Sequence, residues 1–195
     1  VFGAVHGFFV GQEFFSTVMH PYVVEATAMI GAAKVDRILD EIGVSRAYIA
    51  SQSNWLSVGF HDALLDLFAV HGDPAELSRR AGIRSFKRDM IGVNYYVLKH
   101  FVTPSLAFRS FAKVSQKFNR TRTYEVVEAG RNRVKVALGL VNAAYLPTRR
   151  ESCLNWQASF ESFIELMTGR PGRVRKVACC YDGHSACTYE IAWES

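Results

Sequence analysis

No apolar run in this 195-residue chain approaches the length needed to cross a bilayer, so no membrane-spanning segment is expected. The apolar start, Val1 to Val10, has no basic leader and no cleavage site, and is not read as a signal peptide. Proline is scarce and no stretch is of low complexity, which excludes a disordered or polyproline segment. The four cysteines are too few for a disulfide framework in a chain this size; reduced thiols in the cytoplasm are the expectation. There is no phosphate-cradling glycine loop, no nucleophile elbow, no dinucleotide fingerprint and no HExxH pairing of histidines. With no visible catalytic set, the chain does not read as an enzyme.

Charge is unevenly spread along the chain. Residues 1–76 carry 3 basic and 9 acidic side chains, net −6, whereas residues 77–195 carry 20 and 9, net +11. Such asymmetry can mark an anionic partner. The basic residues are scattered and no recognition-helix motif accompanies them, so a solvated surface without direct nucleic-acid contact is the reading taken.

What is present is a run of helices, then strands. Residues 1–23, with Gly3, Gly7 and Gly11 interrupting Phe and Val, read as an N-terminal arm and a candidate dimer contact; residues 24–195 read as one domain. Val24 to Ile42 has a helical apolar face and stops at Gly43; Ser45 to Ser53 reads as a connection. Further helices follow over Ser57 to His71, from Asp73-Pro74 to Gly82, from Ser85 through Phe101, and from Thr103-Pro104 through Val114. Arg120 to Glu128 and Asn132 to Val141 alternate like a hairpin around Gly130. The closing quarter adds a helix and a second hairpin. Thr148 and Glu151 suggest a capping box. Cys153, Trp156, Phe160, Phe163 and Met167 share one helical face, with Asn155, Ser159, Glu161, Ser162 and Glu165 turned away. Val174 to Tyr181 then pairs with the alternating Cys187, Tyr189, Ile191 and Trp193. The predicted fold is α+β: an antiparallel four-stranded sheet, two hairpins separated by a helix, packed with an N-terminal helical run.

The cysteines follow one another at separations of 26 and 8 residues, Cys153 to Cys179 to Cys187, with Gly169-Arg170 between. This arrangement resembles the vinyl-reductase-like ligand-binding domain, the sensory module of aromatic-responsive bacterial transcription activators, also present in Golgi trafficking subunits. The resemblance rests on about the last 45 residues. It implies a structural zinc on Cys153, Cys179 and Cys187, closed in the zinc-binding members by a glutamate three residues before the middle cysteine. Here that residue is Lys176. His184, or the adjacent Cys180, would have to complete the tetrahedron; alternatively the thiols are small buried hydrophobes with no metal.

The resemblance also implies a small hydrophobic or aromatic ligand in a pocket lined by Trp156, Phe160, Tyr95 and Tyr96, where packing alone would make them plain core. His6, His20, His61, His71, His100 and His184 read as surface or satisfied-core residues. The function expected first is a non-catalytic cytoplasmic sensory domain signalling to an output domain on a longer chain. A homodimeric scaffolding module comes second. An enzyme such as a reductase, or a haem-based sensor, comes third.

Overall fold

The computed structural model describes residues 12–51, 54–92 and 94–194. A two-residue strand β1 (Phe14–Phe15) runs straight into α1 (Ser16–Ile30), which Gly31 separates from α2 (Ala32–Ile42). Residues 16–23 of the expected arm are therefore the first half of α1, with Met19, Tyr22 and Val23 buried; residues 1–11 lie outside the described residues. Val35, Ile38, Leu39 and Ile42 recur at helical spacing and are buried, and Gly43 closes α2 in the left-handed conformation that favours glycine. A short α3 (Arg46–Ala50), capped by the Ser45 side chain, occupies what the sequence suggested was a connection.

Strand β2 (Trp55–Leu56) pairs antiparallel with β1, and α4 (Val58–Phe68) and α5 (Pro74–Arg84) complete a helical half. Asp73 caps α5 and Pro74 takes its first turn. The core here is largely aliphatic: Val35, Leu39, Ile42, Ile49, Leu56, Leu64, Leu65 and Leu77 around Phe60 and Phe68.

Beyond α5 the expected long helix is divided into α6 (Arg88–Ile91) and α7 (Asn94–Phe101), because Gly92 takes a positive φ of 57° that interrupts the helix. Then come α8 (Pro104–Val114), capped by Thr103, strands β3 (Arg122–Ala129) and β4 (Arg133–Leu140), α9 (Ser152–Thr168), and strands β5 (Arg173–Ala178) and β6 (Ala186–Ala192). The four strands form one antiparallel sheet in the order β3-β4-β6-β5. Its covered face carries Arg122 and Tyr124, Val134, Val136 and Leu138, and Cys187, Tyr189 and Ile191, against α8 and α9. Phe160 is the hub, 5.9 Å from Phe108, 6.4 Å from Tyr124 and 5.3 Å from Tyr189 between ring centroids.

Helix α9 joins the halves, and it is buried on more sides than its sequence suggested. Ser159 and Ser162, expected outside, face α5 and donate to the carbonyls of Gly82 (3.3 Å) and Ile83 (3.0 Å). A Cβ at Gly82 would stand 2.3 Å from the Asn155 carbonyl oxygen, so only glycine admits this approach. The capping box does not form. The Thr148 N–H donates instead to Asp62 (2.9 Å), Glu151 meets Arg149 (3.5 Å), and α9 starts at Ser152, because this loop is drawn onto α4.

Candidate functional site at the seam of the two halves

A cleft runs along the seam. One wall comes from Phe14, Val18, Met19 and Tyr22 at the start of the helical half, with Val58 and His61 of α4. The other comes from Asn119, Thr121 and Arg122 leading into β3, Tyr145 and Pro147 of the β4–α9 loop, and Ser152, Asn155 and Trp156 of α9. Its cavity volume is about 70 Å³, room for about five waters.

Polar groups fix these walls. The buried His61 ring stands edge-on to Tyr22, centroids 5.4 Å apart, with Nδ1 3.4 Å from Asp62 Oδ1. Burial opposes ionisation of Asp62, but hydrogen bonds from His61 and Thr148 outweigh it and hold the carboxyl below its usual value. Arg149 Nε reaches Asp66 of α4 at 2.7 Å. The Tyr181 hydroxyl, 2.8 Å from the carbonyl oxygens of both Pro147 and Arg149 and 3.1 Å from Ser152 Oγ, ties the same loop to the β5–β6 turn. The loop is thus held from both halves.

Arg122 has no such satisfaction. It is 7 % exposed, and its Nη1 is buried with no hydrogen-bond partner. A buried donor left without a hydrogen bond costs about 1–3 kcal/mol, so a partner for this nitrogen is to be expected.

The predicted site residues divide between places. Trp156 borders the cleft, and Phe160 lies beneath it in the aromatic core. Tyr95 and Tyr96 are elsewhere, edge-to-face with each other on α7, with Lys99 and Arg88 over their rings. Cys153, Cys179 and Cys187 do converge, all three sulfurs within 4.8 Å, Cys179 being 3.6 Å from Cys153 and 3.9 Å from Cys187. His184 is not with them: it is exposed in the β5–β6 turn. Lys176 Nζ, 3.7 Å from Cys179 Sγ, sets a positive charge where a fourth, anionic ligand would be needed. Hydrogen bonding from Cys153, against the opposing effect of burial, pulls the Cys187 thiol below its ordinary value, helped by the Cys180 N–H at 3.3 Å; Cys153 moves upward in turn.

No family model matches this sequence, and no curated protein matches it either. Solved structures do. An H-NOX protein from S. oneidensis in its Fe(II)NO ligation state superposes with a TM-score of 0.68 over 92 % of this chain and 99 % of that one, at 8 % identity. An oxygen-binding H-NOX domain related to soluble guanylate cyclases gives 0.68 over 92 % and 95 %, at 10 % identity. A protein from work on haem distortion in the H-NOX family gives 0.67 over 92 % and 95 %, at 12 % identity. The fold is that of H-NOX proteins. This overturns the resemblance to the vinyl-reductase-like family. It also overturns the expectation of a structural zinc with no other cofactor, since the similar H-NOX structures include one in an Fe(II)NO ligation state and one studied for haem distortion.

The haem that the H-NOX fold implies suits this cleft in donors but not in size. His61 supplies a buried imidazole, the commonest haem ligand, and Arg122 a cation for a carboxylate. A macrocycle of about forty non-hydrogen atoms has no room in about 70 Å³, when pockets for drug-sized ligands run to roughly 300–1,000 Å³. Haem does not fit the cleft as it stands. Arg122 and Tyr22 escaped the sequence reading, and His61, read there as a surface or satisfied-core residue, is buried beside Asp62 and Tyr22. The signal for Arg122 was its parity: it shares the inward register of Tyr124, where a solvated arginine does not belong.

Proposed function

We propose that this chain is a non-catalytic, cytoplasmic sensory domain on the H-NOX fold. It takes a small ligand in the seam cleft and passes the bound state to an output module on a longer chain. The observation that carries this is the position of the cleft. Its walls come from both halves, so a guest that touches both prefers one relative packing, and only such differential affinity can transmit a signal. Among the described residues no helix is long and apolar enough to cross a membrane. A panel of small aromatics and organic acids should raise the melting temperature and quench Trp156 fluorescence. If no member does either, the sensory reading is lost. Native mass spectrometry of the same samples tests the homodimer that belongs to this reading.

A second reading, a haem-based sensor, is favoured by the iron and haem of the similar H-NOX proteins and by the buried His61. It requires the halves to part. Haemin titration decides it: a Soret band of one equivalent, lost in His61→Ala, supports the reading, and free-haemin spectra throughout end it.

A further inference from the structure

We propose that the seam cleft binds a small carboxylate anion, with the Arg122 guanidinium as its counter-ion. This rests on the cleft being the ligand site and names the ligand chemistry. A guanidinium presents forked N–H donors that match the two oxygens of a carboxylate. Arg122 is buried and lines the cleft, and its Nη1 has no hydrogen-bond partner. The carboxylates around the cleft are already engaged: Asp62 with His61 and Thr148, Glu151 with Arg149, and Asp182 with Arg150. Asn119 Oδ1 is taken as well, accepting from the Thr121 N–H at 2.9 Å and the Thr121 hydroxyl at 2.7 Å. Arg122 also favours ionisation of Cys180, Cys187 and Tyr181, and a carboxylate would give its unpartnered nitrogen a harder acceptor than sulfur.

The remaining walls set the size and character of the guest. Phe14, Met19 and Trp156 are apolar and offer a short hydrocarbon its desolvated end. Space for about five waters admits about five non-hydrogen atoms, the size of propionate. A short-chain carboxylate therefore satisfies the cation, the apolar wall and the volume together.

The test uses the purified chain with propionate, its neutral isostere propionamide, and sodium chloride or nitrate at matched ionic strength. Saturating propionate should raise the melting temperature by about 5 °C. Propionamide should bind at least about tenfold more weakly, chloride and nitrate should give no shift, and Arg122→Gln should abolish the propionate response. Equal responses to propionate and propionamide, an equal response to nitrate, or a response kept in Arg122→Gln would overturn the carboxylate assignment. In those cases the cleft still binds, and the sensory reading stands. If Arg122→Gln does not fold, the acid–amide comparison on the unaltered chain decides alone. No response to propionate also overturns the assignment, and neutral aromatics tested alongside show whether the sensory reading falls with it.

Discussion

The helical half and the sheet half are filled by different means. Around α1, α2 and α4 the core is mostly branched aliphatics, which close over short distances and leave little between helices. Between the sheet and α8 and α9 it is rings: Phe108, Phe111, Phe160, Phe163, Tyr124 and Tyr189, with the thiols at one end. Aromatic side chains are long enough to span the space between a helix and a sheet. Hence Phe160, expected to line an internal pocket, fills the space between helix and sheet, while Trp156 borders a small cleft at the seam of the two halves.

The largest effect should come from removing the aromatic hub. Phe160→Ala should lose about 3–5 kcal/mol, roughly 10 °C or more in melting temperature for a chain this size. The comparison sharpens if Phe68→Ala, in the aliphatic half, lowers the same single transition. Two separate transitions would mean that the halves fold independently. Gly82→Ala comes next. Its new methyl meets backbone in α9, so the helices α5 and α9 must part, at about 1–3 kcal/mol. The expected sign of uncoupling is broadening of the transition measured by calorimetry.

The thiol corner gives a pH prediction with a definite sign. A folded-state pKa below the unfolded value contributes stability that is present above the unfolded value and lost as pH falls through the folded one. For Cys187 that window runs from the thiol value of 9.0 down to about 5, so stability should decline on acidification across it. Cys153, raised, contributes its loss only above 9.0. The groups facing Cys187 are Cys153, Cys179, Cys180 and Arg122, with Lys176 on Cys179. Cys187→Ala should flatten the slope between pH 9 and 5 in urea melts, and an unchanged slope would show that Cys187 does not titrate there.

How far the sequence carried the reading depended on whether a pattern was local. The α+β class and the antiparallel four-stranded sheet were legible, because Val134, Val136 and Leu138, and Cys187, Tyr189 and Ile191, alternate at period two. Convergence of the three cysteines was legible for the same reason. The family was not. Any helix laid over a terminal hairpin brings such cysteines together, so their spacing reports packing and not descent. The second buried side of α9 was hidden because Ser159 and Ser162 read as polar, yet each is satisfied by a carbonyl of α5 that only the fold supplies. Arg122 needed a parity argument, and its missing partner is visible only in three dimensions.

The smallest effect concerns charge. The sequence sets an acidic first part against a basic remainder, which suggested an outside anionic partner or an ordinary surface. Part of that asymmetry is spent inside the molecule, since Arg149 of the basic remainder reaches Asp66 of the acidic part. Asp66 is more than half exposed there, so the pair stabilises by about 0.2–1 kcal/mol and is screened by salt. Arg149→Ala should therefore cost little at low salt, and its difference from the parent should shrink further at high salt. The same variant loosens the loop that carries Tyr145 and Pro147, which line the cleft from the sheet side. Its ligand response should accordingly fall by more than its stability does. A proportional loss of both would make Arg149 a surface charge like the others.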